Sequence, residues 1–335
     1  MTTHSFICGN SLDTEINKNI DLILTSPPYP MIEMWDQCFV DQNPEIAEHL
    51  AKGNGVSAWT LMTKVLEEII TKSTTHLNPG GFLIINIGDA TRTLSNFALY
   101  PTHSLLDNHC VKTLGLTRLP CILWSKPSNK PNKYMGSGML PGGAYATLEH
   151  EYILIYRKGS KREFNKENRR KSAFFWEERN RWFSDSWSIL GANQKLNLVR
   201  KKSAAFPHEL AYRLIAMYSC YDDVVLDPFS GIGTTCLAAM HLNRNSIGIE
   251  SHRLLVEQSL KRLLTAKNFC NEYTRGRLER HVQFVNHSNK NHIHINKHYG
   301  FKVMTKQEES VVFKEITDIQ QREDTILCNA IDMNA

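Results

Sequence analysis

The chain has 335 residues, of which 41% are hydrophobic and 22% are charged. This composition suits a globular protein with one large core or two modest ones, and it excludes the disordered and collagen-like classes. No apolar run approaches the ~20 residues that span a bilayer, and the first residues lack the basic-then-apolar pattern of a secretion signal. We therefore expect a cytoplasmic protein that does not interact with membranes.

The net charge of +5 is concentrated in one basic segment. Residues 157–202 contain fourteen Lys or Arg against five Asp or Glu, a balance of +9 that leaves −4 for the rest of the chain. The segment also holds aromatic residues, among them Phe164, Phe174, Phe175, Trp176, Trp182 and Trp187. Cations can hold phosphates while aromatic rings stack on bases, so the segment predicts a surface for a polyanion. The alternative is a solvated basic helix whose aromatic residues belong to the core.

Eight cysteines are scattered along the chain without a Cys-x-x-Cys pair. This spacing favours reduced, packed thiols over a disulfide framework or a zinc site. Five histidines near the C-terminus, at 281, 287, 292, 294 and 298, lie among Asn and Lys, and we interpret them as a solvated surface. We therefore predict no metal site.

Strand and helix patterns alternate along the chain, which predicts an α/β fold with a mostly parallel sheet. The predicted strands are 20–25, 82–87, 119–124, 152–156, 224–226 and 246–249, with a further short strand within 310–318. The predicted helices are about 57–75, 207–219, 234–242 and 252–268.

The first predicted strand runs directly into a stiff polar turn, Ser26-Pro27-Pro28-Tyr29, which we call the proline turn. Each proline fixes its own φ and removes a backbone donor. The carbonyl groups of this turn therefore keep one direction, at the polar end of a buried strand. The residues that follow, 31–56, are interpreted as a loop that closes over a ligand, with Trp35 either in that loop or in the core.

A second strand, 224–226, leads through Asp227 into the segment 228–233, which we call the glycine turn, and then into a helix. The next strand ends at Glu250, 23 residues past Asp227. This order is that of a nucleotide-binding βαβ unit, in which glycines admit a ligand close to the backbone, threonines cap the helix and the acid binds ribose hydroxyls. The residues in these roles are Gly231, Gly233, Thr234, Thr235 and Glu250. No lysine follows the glycines, which favours a nucleoside without a polyphosphate.

The two turns together resemble a known family. The sequence Asp-Pro-Phe-x-Gly-x-Gly-Thr-Thr at 227–235 resembles the S-adenosylmethionine-binding motif of amino-group DNA methyltransferases, and Thr-Ser-Pro-Pro-Tyr at 25–29 is similar to their catalytic motif. The catalytic motif comes first, as in the permuted β group that is typical of bacterial restriction-modification systems. Further similar stretches are 80–86, 124–127, 150–153 with 157–158, and 185–189, so the resemblance covers about residues 6–265.

The resemblance implies a Rossmann-like, permuted S-adenosylmethionine-dependent methyltransferase fold with an inserted basic region that recognises the DNA target. It divides the chain into a catalytic half (1–126), a target-recognition region (127–185) that includes a core strand at 150–157, a cofactor-binding half (186–268) and a C-terminal extension of unknown role (269–335). The implied partners are double-stranded DNA and a cognate restriction endonuclease, with the enzyme acting as a monomer or homodimer.

The resemblance also implies the site residues. The catalytic residues are Ser26, Pro27, Pro28 and Tyr29. The cofactor-binding residues are Asn10, Phe206, Asp227, Phe229, Gly231, Gly233, Thr234, Thr235 and Glu250. Two stretches depart from the family pattern: Gly-Asn at 9–10 replaces Gly-Asp, and the segment 202–210 keeps only part of the usual His-Pro-Ala-x-Phe-Pro-Glu-Glu-Leu, including Phe206 and Pro207.

The chemistry of an exocyclic amine explains the proline turn. The amine lone pair is delocalised into the base, so methyl transfer needs acceptors that draw the nitrogen toward tetrahedral geometry. Ser26 and the carbonyl of Pro27 can be these acceptors, held with little reorganisation. Tyr29 offers a face to the base, which must leave the duplex to reach the turn.

Family members with Ser at the first motif position mostly methylate cytosine N4, whereas those with Asp or Asn mostly methylate adenine N6. Ser26 therefore favours cytosine N4, with adenine N6 of DNA or RNA and a non-catalytic DNA-binding protein as alternatives. Methylation of cytosine C5 would need a cysteine nucleophile. The only Pro-Cys pair, at 120–121, lies in a predicted apolar strand, so we interpret Cys121 as a core residue.

Overall fold

The computed structural model describes residues 1–127, 137–191, 205–288 and 293–334, and these residues form one large sheet with helices on both faces. The strands are β1 (Thr2–Cys8), β2 (Ile20–Thr25), β3 (Leu77–Ile87), β4 (Ala90–Thr93), β5 (Phe97–Tyr100), β6 (Thr117–Arg118), β7 (Ile122–Ser125), β8 (His150–Arg157), β9 (Ser186–Ser188), β10 (Val224–Asp227), β11 (Asn245–Glu250), β12 (His294–Ile295), β13 (Lys302–Val303), β14 (Lys314–Arg322) and β15 (Thr325–Asp332).

The α-helices of the described residues are α1 (Asp36–Val40), α2 (Glu45–Ala51), α3 (Gly55–Thr75), α4 (Thr102–Asn108), α5 (Lys166–Lys171), α6 (Trp176–Trp182), α7 (His208–Tyr218), α8 (Thr234–His241), α9 (Arg253–Leu264) and α10 (Lys267–Asn286). Short 3-10 segments occupy Glu33–Trp35 and Lys306–Ser310, and a π-helical segment occupies His109–Thr113.

Eleven strands of the described chain form the sheet, in the order β14-β15-β1-β11-β10-β2-β3-β8-β7-β9, with β6 paired to β8. Its centre is parallel, because β1, β11, β10, β2 and β3 all run in the same direction. Strand β8 runs antiparallel to both β3 and β7. The predicted α/β fold with a mostly parallel central sheet is confirmed.

Burial on both faces explains why the central strands read as continuous apolar runs. Along β2, Ile23 packs with the cluster that includes Met62 and Leu66 of α3. Its neighbours Leu22 and Leu24 point the other way, into the cluster that contains α7 and part of α8. Successive side chains of a strand alternate between faces, so one short strand joins two cores.

Most predicted elements are present, and the differences have physical causes. The predicted strand at 119–124 begins only at Ile122 as β7, and Cys121, which precedes it, is exposed, so its assignment to the core was wrong. The predicted helix at 252–268 ends at Leu264, and α10 then begins at Lys267. The segment 31–56, interpreted as a loop, contains α1 and α2.

Helix α10 escaped prediction because its buried face is mostly polar. The side chains on that face are Cys270, Asn271, Thr274, Arg277, His281 and Val285. Their spacing is helical, but the usual signal is an apolar period, which polar residues do not give. Arg277 fills this face by binding both carboxylate oxygens of Glu178 on α6, at 2.6 and 2.7 Å.

The C-terminal histidines are not one solvated surface. His287 and His298 are exposed, as predicted, and His292 lies outside the described residues. His281 is completely buried; its ring lies 3.7 Å from that of Phe175, and its Nδ1 is 2.9 Å from Glu177 Oε1. The prediction of a solvated surface was therefore wrong for His281.

Three of the seven aromatic residues in the basic segment belong to the core. Phe175, Trp182 and Trp187 are at most 2% exposed, so they cannot stack on bases as the folded chain stands. For these three residues the core interpretation is correct. The predicted target-recognition region also includes residues 128–136, and the basic segment includes 192–202, both outside the described residues.

The extension after α9 completes the main sheet. Strands β14 and β15 form a hairpin, and β15 pairs antiparallel with β1, so that Thr2 lies opposite Cys328. The short strand predicted within 310–318 corresponds to the beginning of β14. No helix of the described ranges is long and apolar enough to cross a membrane.

Candidate active site

Parallel strands place their carboxyl ends at one edge of the sheet, and a cavity of about 520 Å³ opens at this edge. Most of the predicted site residues line it: Asn10, Ser26, Pro27, Pro28, Tyr29, Phe206, Asp227, Phe229, Gly231, Thr234 and Glu250. Gly233 and Thr235 are not part of the lining. The two turns, some 200 residues apart in sequence, therefore face one space.

Strand register brings the two turns together. Leu22 and Ile23 of β2 pair with Val225 and Leu226 of β10, so both strands end side by side. Strand β8 runs the other way and therefore begins at this edge, where it supplies Glu151. Strands running in both directions thus contribute side chains to the cavity.

The glycine turn depends on left-handed backbone. Gly231 has φ +52° and Gly233 has φ +71°, a region that favours glycine. A Cβ at Gly233 would lie 2.9 Å from Ser259 Cβ. The Gly231 N–H donates to Glu250 Oε2 at 3.0 Å, which ties the turn to the end of β11.

The two threonines after the glycine turn do not cap α8, contrary to the prediction. The N-cap residue is Gly233, which has no side chain to accept a hydrogen bond. Thr235 instead donates to Asp227 Oδ2 at 2.6 Å, and Thr234 accepts from the Arg262 guanidinium at 2.8 Å. Both side chains brace the base of the cavity.

Asp227 holds the glycine turn from within. Its Oδ1 accepts from the Thr25 hydroxyl at 2.7 Å and from the Phe229 N–H at 3.1 Å, while its Oδ2 accepts from Thr235. Burial raises the pKa of Asp227 to about 6, and these hydrogen bonds oppose the rise. The carboxyl group therefore links β2, β10 and α8.

The raised pKa of Asp227 predicts a pH dependence of stability. The folded state favours the protonated acid, so this stabilisation is complete below the unfolded pKa of 3.8 and is lost as the pH rises through about 6. A shift of roughly two pKa units corresponds to about 3 kcal/mol. We expect the free energy of unfolding of the natural protein, minus that of Asp227→Asn, to fall by about this amount between pH 4 and 7. Urea unfolding at several pH values measures it, and parallel profiles would contradict the prediction.

Glu250 and Asn10 lie on the other side of the glycine turn. Besides the Gly231 N–H, Glu250 accepts from the His252 N–H at 2.9 Å, and burial raises the pKa of its carboxyl group. Asn10 Oδ1 accepts from the Leu12 N–H at 3.0 Å, and its Nδ2 donates to Gln42 Oε1 at 2.9 Å. Carboxylate and amide groups therefore line one end of the cavity.

The proline turn is bound by a polar network. The Tyr29 hydroxyl donates to Glu151 Oε2 at 2.7 Å and lies 3.3 Å from Ser26 Oγ. Asn86 Nδ2 lies 2.6 Å from Glu151 Oε2, 2.8 Å from the Tyr29 oxygen and 3.3 Å from Ser26 Oγ. Burial and the negative charge of Glu151 raise the pKa of Tyr29 well above its ordinary value, so the phenol stays neutral.

Sequence reasoning missed several cavity residues. Asn86, Trp124, Lys126 and Glu151 all line the cavity, and Lys126 forms an ion pair with Glu151. They lie in stretches that resemble the family, but no role was assigned to them. The available signal was a polar residue at or next to the end of a predicted strand, as with Asn86 near the end of β3.

Trp35 and Gly88 shape the space around Tyr29. Trp35 lines the cavity and also packs against the core, which agrees with its interpretation as a core residue, whereas closure of the segment 31–56 over a ligand stays a prediction. A Cβ at Gly88 would lie 2.8 Å from Tyr29 Cε2, so glycine leaves room for the ring. Met31, just after the turn, has φ +68°, a strained value for a residue with a side chain.

Comparison with known proteins shows similarity over both sides of the cavity. The N6/N4 model of DNA methylases matches residues 20–261, a range that contains both turns. The type II methyltransferase M.MthZI of Methanothermobacter thermautotrophicus is 46% identical over 327 residues, which cover 92% of this chain and 90% of that protein. M.MjaI, the type II methyltransferase of Methanocaldococcus jannaschii, is 42% identical over 301 residues, covering 85% of this chain and 97% of that protein.

Among solved structures, a proposed DNA modification methylase from Thermus thermophilus, complexed with S-adenosyl-L-methionine, is also similar. It is 29% identical to this chain, with a TM-score of 0.61, and the match covers 78% of this chain and 93% of that one. The similarity therefore extends to the architecture as well as to the sequence.

Proposed function

The chain belongs to the family of DNA methylases that transfer a methyl group from S-adenosylmethionine to an exocyclic amine, and on this premise we propose that it methylates cytosine N4 in duplex DNA. The observation that carries the proposal is the hydroxyl of Ser26, at the cavity wall, where adenine-specific members of the family mostly have Asp or Asn. The neutral hydroxyl is a weaker hydrogen-bond acceptor than a carboxylate, so the rigid Pro27 carbonyl contributes more to activating the target amine.

The residues around the glycine turn fit the cofactor. We assign the nucleoside end of S-adenosylmethionine to four residues of the cavity wall: Asn10, Phe229, Gly231 and Glu250. They combine a carboxyl group and an amide with a glycine backbone that a ligand can approach closely. Phe206 lines the same cavity and is assigned to the methionine end. Asp227 and Thr234 also line the cavity and, with Gly233 and Thr235, are assigned to hold the glycine turn in place.

The proline turn acts on the target amine. When bound, S-adenosylmethionine supplies an electrophilic methyl group: the amine lone pair forms the N–C bond, the C–S bond breaks with its electron pair left on sulfur, and the amine then loses one proton to water. Ser26 and the Pro27 carbonyl each accept a hydrogen bond from one amine N–H group. These hydrogen bonds concentrate the amine lone pair toward the methyl carbon. Because the two prolines hold the turn, these acceptors need little reorganisation.

The target base must leave the duplex to reach this cavity. Unstacking and unpairing cost a few kcal/mol, and stacking of the base on the Tyr29 ring offsets part of this. Exposed cations of the basic segment, such as Arg170 and Arg181, are proposed to hold the DNA backbone nearby. We further propose that the enzyme protects host DNA from a cognate restriction endonuclease.

The test is transfer of labelled methyl from S-adenosylmethionine to mixed-sequence duplex DNA, followed by digestion to nucleosides and mass analysis. We expect N4-methylcytosine. N6-methyladenine would overturn the choice of base while leaving the proline turn as the catalytic element. Labelled RNA without labelled DNA would overturn the proposed substrate.

A further inference from the structure

We propose that Glu151 sets the direction of a hydrogen-bond chain, through Tyr29, that makes Ser26 an acceptor for the target amine. A serine hydroxyl can donate or accept, and an amine that donates its N–H groups and must become more nucleophilic is served only by a lone pair on the serine oxygen. The inference deepens the proposed function and depends on its assignment of Ser26.

The chain begins at a group that can only accept. Glu151 is 7% exposed, and the Lys126 ammonium contacts its Oε1, so the group is placed as a carboxylate with Oε2 facing the proline turn. An ionised carboxylate has no proton to give. Both groups that contact Oε2, the Tyr29 hydroxyl at 2.7 Å and Asn86 Nδ2 at 2.6 Å, must therefore donate.

This requirement fixes the direction of the Tyr29 hydroxyl proton. Its phenol has one proton, and that proton is committed to Glu151. The pKa of Tyr29 lies well above its ordinary value, so the phenol keeps this proton throughout the neutral range. The Tyr29 oxygen is left as an acceptor toward its other neighbours, Asn86 Nδ2 at 2.8 Å and Ser26 Oγ at 3.3 Å.

The Tyr29 oxygen in turn fixes the direction of the Ser26 hydroxyl proton. The two shorter contacts of Asn86 Nδ2 use its two protons, on Glu151 and Tyr29, and its 3.3 Å contact to Ser26 Oγ is the longest of the three. The Ser26 proton therefore points to the Tyr29 oxygen, and a lone pair is left for the cavity. With the opposite polarity, Ser26 would present its O–H to an amine N–H, donor against donor.

The ring of Tyr29 is held in the position that this chain requires. Gly88 leaves only enough room for it, since a Cβ there would meet Cε2 at 2.8 Å. Glu151 reaches the ring from β8, which is antiparallel to the strand that carries Asn86. Glu151 and Asn86, the two closer partners of the Tyr29 hydroxyl, lie on β8 and β3 outside the proline turn, so the direction of the hydroxyl is imposed by the sheet.

The experiment compares Glu151→Gln, Tyr29→Phe and the double variant in the full chain, with Tyr152→Phe as control. Tyr29→Phe keeps the aromatic face and removes the relay, whereas the glutamine offers one acceptor oxygen to both Lys126 and Tyr29. Tyr152 neighbours Glu151 on β8, and its ring stacks on His103 at 3.9 Å. Single-turnover transfer, KM for DNA, calorimetric affinity for S-adenosylmethionine and the urea midpoint are measured for each.

We expect each single variant to lower the transfer rate roughly 10- to 100-fold, with cofactor affinity and KM within about twofold. The double variant should be no slower than the slower single, because both changes break one chain. Tyr152→Phe should transfer normally. Wild-type rates in either single variant, or losses that multiply in the double variant, would refute the proposal.

Failure of this inference is separable from failure of the proposed function. A fully active Ser26→Ala protein would remove the catalytic role of Ser26 and this inference with it. An inactive Ser26→Ala protein beside a fully active Tyr29→Phe protein would refute only the role of the chain. A Glu151→Gln rate loss accompanied by weaker cofactor binding and a lower urea midpoint would mark Glu151 as structural and would also refute it.

Discussion

Ser26→Ala is expected to lower the single-turnover rate of methyl transfer by roughly 100- to 1,000-fold, the loss seen when one preorganised polar contact to a reacting group is removed. The alanine cannot accept from the target amine, so only the Pro27 carbonyl remains. Cofactor affinity should be unchanged, because Ser26 belongs to the proline turn, whereas the nucleoside end is assigned to residues in and around the glycine turn.

Rapid-quench measurement with labelled cofactor and duplex DNA gives the rate, and calorimetry gives the affinity for S-adenosylmethionine. Ser104→Ala is a matched control, because this serine is exposed on α4, its Oγ donates to the Pro101 carbonyl oxygen at 2.8 Å, and it is not part of the cavity lining. A Ser26→Ala protein that transfers methyl at the natural rate would contradict the catalytic assignment.

Gly231→Val is expected to weaken S-adenosylmethionine binding by about 100-fold or more. Valine at φ +52° is strained by about 1–3 kcal/mol, and relaxing that strain moves the backbone at the cavity wall. The Gly231 N–H would then lose its contact with Glu250, which leaves a half-buried carboxyl group short of a donor. Every 1.4 kcal/mol lost lowers the affinity about tenfold.

Calorimetric titration with S-adenosylmethionine measures this loss, and Gly159→Val is the control. Gly159 has a similar φ of +65°, and a Cβ there meets nothing within 4 Å. Valine at position 159 therefore brings a similar backbone strain at a position that does not line the cavity. Tight binding by Gly231→Val, or equal weakening by Gly159→Val, would show that the glycine turn does not hold the cofactor.

The parts of the site that could be predicted are those whose residues are adjacent in the sequence. The proline turn and the glycine turn each combine a strand end with residues of special backbone preference, so their residue types carry the information locally. The parallel order of their strands then places both turns at one edge of the sheet. The family resemblance named thirteen site residues, and eleven of them line the cavity.

The parts that could not be predicted depend on pairing between distant strands. Glu151 reaches Tyr29 because β8 runs antiparallel to β3, a direction that no local pattern reveals. Asn86 is a single polar residue at the end of an apolar run, and its type alone does not say which of two faces it meets. His281 looked solvated for the same reason, since its partners Phe175 and Glu177 lie about 100 residues earlier.

The position of β1 in the sheet has a consequence for synthesis on the ribosome. Its neighbours are β11 and β15, so its contacts join residues 242 and 320 positions apart, as between His4 and Ser246 and between Ser5 and Thr325. At roughly 5–20 residues per second, β1 waits about 10 to 50 s for its first partner to be made. Until then Gly9 and Asn10 have no fixed place beside β11. The cofactor can therefore stabilise the finished domain, but it cannot act as a folding aid for the first two thirds of the nascent chain.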